Sequence, residues 1–322
     1  MHSVMNRVLY ATAGAIVSLD AFWLAAGRFD VDAHRYGLLL ALVLPLLCAA
    51  HYYGRYRRED AIAATLTASA FLLVFSAAAS LLSYLLLTIA GPRIDIQLAS
   101  IDQAMGFSWP AMMGFVSRHP PANLILSWAY FSVMPQTALL VLLLGWRNRC
   151  ADLYGFCLAL SMATILTLSI WTAFPSFGAF SVFTLPAPVA SRLGLALGFD
   201  YGRVLVAMLR DGPGFISPSE LRGLVGFPSF HTVQALVLIW YARNLPVVRW
   251  LALALNVVVL VAIPVQGGHH LIDMFGGAGV TLIAVLLSRS AVAWAARPHV
   301  ADARSAVAAR ELVSRATTAE TH

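Results

Sequence analysis

The sequence predicts an all-α, polytopic membrane protein, and three observations carry that prediction. Of the 322 residues, 60% are hydrophobic and only 11% are charged, whereas soluble domains carry about 25% charged residues. The apolar residues fall into runs near the ~20 residues that a helix needs to cross a bilayer. No polar stretch is long enough to hold a separate soluble domain. The formal net charge is +6 with arginine as the only counted base, because the chain has no lysine. Those arginines lie in short loops between apolar runs, a membrane-topology pattern. No mixed aromatic and basic cluster points to nucleic acid. The three cysteines, Cys48, Cys150 and Cys157, have no metal-site or disulfide spacing and read as packing residues.

About eight spans are expected. The first covers 8–26; Asp20 interrupts it and no convincing small-residue cleavage site follows, so it reads as a span and not as a signal peptide. The second, 36–53, and the third, 61–90, flank a loop with Arg55, Arg57 and Arg58. Segment 91–121 is too polar to cross, and its Trp, Phe and Met content suggests a helix lying in the interface, with Asp95 and Asp102 facing water or capping it. Spans four and five cover 122–146 and 153–174. Segment 175–228, with scattered Gly and Pro, reads as an outer cap. The sixth span, 229–243, is short and starts from Pro228. The seventh and eighth cover 247–264 and 271–295. This divides the chain into an N-terminal helix pair (1–60), a six-helix catalytic membrane domain (61–297, with its cap at 175–228) and a polar tail (298–322).

Arginine placement orients the chain. With the N-terminus inside, the inner loops hold Arg55, Arg57 and Arg58, then Arg147 and Arg149, then Arg243 and Arg249, and the tail adds four more. The short outer loop after the first span has Arg28 and Arg35, offset by Asp30 and Asp32. Both termini are expected in the cytoplasm, and segments 91–121, 175–228 and 265–270 share the outer face. The Arg-only, Ala-rich usage suggests a bacterial inner membrane.

Two polar islands open apolar helices on that face: Phe227-Pro228-Ser229-Phe230-His231-Thr232 and Gln266-Gly267-Gly268-His269-His270-Leu271-Ile272-Asp273. His269 and Asp273 are four apart, one turn along a helix. A carboxylate there fixes the imidazole tautomer and makes the other nitrogen more nucleophilic. An unpaired charge in the bilayer costs at least about 2.5–3.5 kcal/mol, so Asp273 implies a partner. In the first island, Pro228 starts the helix and the N–H groups of Ser229, Phe230 and His231 point outward as an anion site, with hydroxyls of Ser229 or Thr232 beside them. Gly267 and Gly268 allow close backbone approach; Gly276, Gly277 and Gly279 read as helix packing. His270 points about 100° from His269 and is as well suited to packing as to binding. Arg203, Arg210 and Arg222 precede the first island in the cap. Arg210 and Arg222 are the favoured phosphate ligands, with Arg93 as a third. The repeat of Phe227-Pro228-Ser229-Phe230 at Phe174-Pro175-Ser176-Phe177 reads as coincidence.

These residues resemble the type-2 phosphatidic acid phosphatase superfamily. Its Pro-Ser-Gly-His motif is matched by Pro228-Ser229-Phe230-His231, with Phe230 in place of Gly. The His-x3-Asp core of its later motif is matched by His269 to Asp273. The Ser-Arg pair ahead of that core is replaced by Ala262 and Ile263, and the early Lys-containing motif is absent. Those departures, and the stretch 94–121, are more similar to the inositol phosphorylceramide synthase branch. The resemblance covers residues 61–295. It implies a phosphohistidine mechanism: His269 attacks phosphorus, Asp273 orients it, and His231 protonates the leaving oxygen and then deprotonates the acceptor. Water as acceptor gives a phosphatase; a lipid or polyol gives a transferase, with sphingolipid among the candidate classes. No metal or other cofactor is implied. The expected partners are the bilayer and a lipid-linked phosphate, not nucleic acid; the oligomeric state is not legible. A transporter or flippase using the histidines for protons would show paired broken helices, which the sequence lacks. A non-catalytic membrane scaffold would tolerate loss of His269, and a soluble haloperoxidase-like cousin does not fit the spans.

Overall fold

A computed structural model describes residues 1–27, 29–195, 201–219 and 223–297. Arg28, Arg222 and the tail at 298–322 therefore lie outside the described residues. The chain is a helical bundle. Helices α1 (His2–Ala26), α2 (Ala33–Tyr52) and α3 (Asp60–Leu85) come first. They are followed by two short helices, α4 (Asp95–Ala104) and α5 (Trp109–Ser117), where one interfacial helix was expected. Then come α6 (Pro120–Phe131), α7 (Val133–Trp146) and α8 (Cys150–Ala173). After a cap containing α9 (Ala187–Ala190) and α10 (Tyr201–Asp211), the chain closes with α11 (Phe230–Ala242), α12 (Val248–Gln266) and α13 (Leu271–Ala296).

Among the described residues, six helices are long and apolar enough to cross a membrane, seven if α6 and α7 form one bent span, and α11 is a shorter apolar helix. The protein is thus an integral membrane protein. The expected fourth span breaks by 44° between Phe131 and Val133. Pro135 explains the bend: it has no N–H to offer the carbonyl of Phe131 four residues back.

The centre of the bundle is α8, whose buried residues lie all around the helix, from Leu153 and Tyr154 to Trp171. A helix apolar on every side belongs in a core. It packs on α13, α3 and α11. Small residues set these approaches: a Cβ on Gly155 would sit 2.9 Å from the Tyr241 hydroxyl, and that hydroxyl meets Ser288 Oγ at 2.9 Å. Thus the Tyr241 side chain, seated against Gly155, ties α8, α11 and α13 together. At the periphery, α2 buries only Val43 and Ala50. Helices α1 and α2 both pack on α3 and barely touch each other.

Two strands, β1 (Asp30–Val31) and β2 (Phe215–Ile216), pair in parallel, a feature the sequence did not suggest. The Ser217 hydroxyl adds a hydrogen bond to Asp32 at 2.8 Å, so the α1–α2 loop is stitched to the cap. At that same end of the bundle, the α3–α4 link, the segment after α8 and the α12–α13 loop converge.

Candidate active site

Helix α11 starts at the first polar island. Ser229 is the N-cap, with its Oγ accepting the N–H of Thr232 at 3.3 Å. Pro228 lies one residue before the cap, not in the first turn as expected. The backbone N–H of Ser229 donates to the Asp273 carbonyl at 2.9 Å, which joins the two islands directly. That bond also takes one of the three N–H groups expected to face an anion, leaving those of Phe230 and His231. Ser229 and Thr232 are buried. Ser229 is spent on capping, and Thr232 packs against Gly277, where a Cβ would come within 2.9 Å. The two hydroxyls therefore shape the helix junction and do not face an open site.

The second island brings the titratable groups together. His269 Nδ1 lies 3.2 Å from Asp273 Oδ2, and the same oxygen accepts the backbone N–H of His270 at 2.9 Å. Asp273 is fully buried and His269 is 4% exposed. The His231 and His269 rings stand 6.1 Å apart and edge to face. Burial holds the His269 imidazole below its ordinary range, opposed by a hydrogen bond to the Gly226 backbone. It is therefore neutral near pH 7, the state a nucleophile needs. Among the described residues, no group of three or more His, Cys, Asp or Glu is placed to hold a metal ion.

The glycines of this island are steric necessities. Gly268 has φ of +63°, and a Cβ there would overlap the Phe180 ring. A Cβ on Gly267 would press on the His269 ring at 2.8 Å and the Tyr130 hydroxyl at 3.1 Å. Gly178, with φ of +79°, has room for no side chain against the Gly268 carbonyl, which accepts the N–H of Ala179 at 2.6 Å.

The structure corrects the reading of two acids. Asp95 and Asp102 do not face water: they are 1% and 3% exposed. They sit seven residues apart, two turns along α4, and so share a face. Asp95 Oδ1 gathers the Ser176 hydroxyl at 2.8 Å and the backbone N–H groups of Phe177 at 2.8 Å and Gly178 at 3.0 Å. Asp102 accepts the N–H of Leu271 at 2.8 Å and of Ile272 at 3.0 Å, capping α13 from another helix. His270 is fully buried, with Nδ1 3.5 Å from Asp102 Oδ2, which makes it part of the packed wall.

Tyr130 was not singled out from the sequence. Its ring stacks on His231 with centroids 4.4 Å apart, and its hydroxyl lies 3.5 Å from His231 Nδ1. It sits one residue before the break between α6 and α7, and nothing in its apolar run distinguishes it. The echo of Phe-Pro-Ser-Phe is also a neighbour in space: Gly226 N–H donates to the Ser176 carbonyl at 2.7 Å.

Of the arginines, the structure brings Arg93 to this wall. It pairs with Asp95 at 2.7 Å, donates to Ser181 Oγ at 2.8 Å and lies 5.5 Å over the Phe177 ring. Arg210 is exposed at the end of α10, where it pairs with its neighbour Asp211 at 2.7 Å, and is not joined to the two islands. Arg222 lies outside the described residues.

The arrangement is a neutral imidazole backed by a carboxylate, a second imidazole beside it and a helix N-terminus next to both. Such a set can attack an electrophile and shuttle a proton. The chain matches no curated relative and no solved structure. The family model described as PAP2 superfamily matches residues 96–287, which is more than half of the chain and spans both islands, α4 and the helices between them. The chain belongs to the PAP2 superfamily, whose membership supports a membrane phosphatase or phosphotransferase of the lipid phosphatase type.

Proposed function

We propose that the protein is a metal-independent lipid phosphate phosphatase or phospho-headgroup transferase that works through a phosphohistidine on the outer membrane face. The observation that carries this reading is the His269–Asp273 pair, 3.2 Å apart, with the His231 ring 6.1 Å from that of His269.

In this reading Nε2 of His269 attacks phosphorus while Asp273 holds Nδ1–H. The P–O bond to the lipid breaks, and His231 gives its proton to the departing oxygen. His231 then takes a proton from the incoming hydroxyl, whose oxygen attacks phosphorus and breaks the P–N bond. The N–H groups of Phe230 and His231 and the guanidinium of Arg93 face the charge on the phosphoryl oxygens. Tyr130 keeps the His231 ring in plane. The same residues serve hydrolysis and transfer, so the acceptor decides the outcome. The missing Ser-Arg pair, replaced by Ala262 and Ile263, favours headgroup transfer of the inositol phosphorylceramide synthase kind.

The test uses purified protein in detergent with EDTA and a panel of lipid phosphates and phospholipids, wild type beside His269→Ala. Phosphate release and new lipid products are followed together by mass spectrometry. Free phosphate lost in the variant identifies a phosphatase; a new headgroup-bearing lipid without free phosphate identifies a transferase. Equal activity in both proteins overturns the reading.

A further inference from the structure

A second feature has no place in that chemistry. Between α1, α2 and α3, where α1 and α2 lean on α3 and barely touch each other, lies a cavity of about 410 Å³. Its wall is almost wholly apolar, including Val17, Leu24, Leu40 and Leu73, and its two polar side chains with buried atoms are Asp20 and Tyr36. Asp20 is 4% exposed. Neither of its carboxyl oxygens, nor the Tyr36 hydroxyl, has a hydrogen-bond partner among the described residues. Such orphaned groups are rare in folded proteins and call for an explanation. Asp20 also stands within a span, where ionisable groups are kept for a purpose.

The cavity has the size and character of a ligand pocket: about 300–1,000 Å³, mostly apolar, with a few convergent polar groups. It opens sideways. Val17, Leu40 and Leu73 line it and are also 43%, 56% and 45% exposed on the outer surface of the bundle. On an apolar surface of this kind the opening faces lipid, not water.

We propose that this cavity binds the chain of a lipid alcohol, with the hydroxyl seated between Asp20 and Tyr36. A hydroxyl both donates and accepts. It can therefore donate to the Asp20 carboxylate and accept the Tyr36 O–H at the same time. An ester carbonyl or an ether only accepts, and an ammonium only donates and adds a charge to an apolar site. Lipid alcohols are what hydrolysis of a lipid phosphate releases and what headgroup transfer consumes; that link rests on the proposed function, but the binding does not. The outer end of α3 joins the two regions, because Leu81 lines the cavity and belongs to the same packed cluster as Phe177, whose N–H is held by Asp95.

The test uses the full chain in phosphatidylcholine nanodiscs and a long-chain primary alcohol carrying a mid-chain diazirine. After irradiation, labelled peptides are identified by mass spectrometry. Labelling is expected on α1, α2 and α3. The unlabelled alcohol should displace it and its methyl ether should not; displacement by diacylglycerol as well would show that two-chain lipid alcohols share the site. Losing one strong hydrogen bond corresponds to about a tenfold loss of labelling in Asp20→Leu, and a smaller loss is expected in Tyr36→Phe. Equal displacement by alcohol and ether, labelling spread evenly over the lipid-facing helices, or undiminished labelling in Asp20→Leu would each overturn the proposal. If Asp20→Leu does not fold, the ether comparison on the wild type and Tyr36→Phe decide it. His269→Ala should label as the wild type does, so a failure of the proposed catalysis and a failure of this site are told apart.

Discussion

The two ends of the sequence deal with buried acids in opposite ways. Around the candidate active site, Asp95 and Asp102 are almost completely buried, and each holds backbone N–H groups of a segment far away in sequence. In the N-terminal helix pair, Asp20 is as deeply buried and holds nothing among the described residues. Desolvating a carboxylate costs the same in both places. In the first region that cost is offset within the fold, and the acids act as cross-braces between loops that are far apart in sequence. In the second it is left standing, in a place where the helices are loosely joined. The comparison separates an acid that builds a site from an acid that waits for a ligand.

The largest expected effect tests the braced region directly. His269→Ala should lower turnover about 10³-fold or more, as loss of a nucleophile does in comparable catalytic sets, and should lower the unfolding temperature in detergent because Asp273 loses its partner. Retained turnover would break the assignment of the catalytic end.

The next pair sets the two acids side by side. Asp102→Ala leaves the N–H groups of Leu271 and Ile272 uncapped and should destabilise by about 2–3 kcal/mol. Asp20→Leu removes an unpaired polar group and should be neutral or stabilising by up to about 1 kcal/mol. Denaturation midpoints of both variants measure the difference. Equal destabilisation would erase the contrast.

A third change probes how tightly the braced loop is set. Gly268→Ala forces a side chain into a left-handed backbone position against Phe180 and should cost about 1–2 kcal/mol from the backbone alone. Gly279→Ala, where a Cβ meets nothing within 4 Å, should have no measurable effect.

The smallest effect is in pH. Burial lowers the His269 pKa from its usual 6.5, so below that value the unfolded chain takes up a proton that the folded chain refuses. Stability should therefore fall as pH drops from 7 towards 5, by at most about 2 kcal/mol from this residue. His269→Asn should flatten that slope in the same denaturation assay.

How far the sequence was legible depends on which atoms carry the interaction. His231, His269 and Asp273 stood out because ionisable side chains interrupt apolar runs, and the structure brings all three together. Asp95 and Asp102 were misread because their partners are backbone N–H groups, which have no signature in sequence, and because α4 lies in a segment of mixed polarity. Their seven-residue spacing was the available clue. The bend between α6 and α7 was missed because the apolar run looked continuous, and Pro135 was the available clue. Tyr130 was not, since an aromatic residue in an apolar helix looks like any other core residue. Arg210 was favoured for its closeness to the first island in sequence, but a cap with its own helix carries it to the surface.

The Asp102 cap bears on how the site empties. A helix N-terminus attracts anions, and α13 begins at the proposed catalytic loop, yet its first N–H groups already hold a carboxylate. Inorganic phosphate arriving there meets a seat filled by a permanent tenant of like charge. For a phosphate-handling enzyme this favours turnover over sequestration: the released anion is repelled at one helix end and held only at the other. Product inhibition should accordingly be weak, and it should strengthen when Asp102→Asn removes the resident charge.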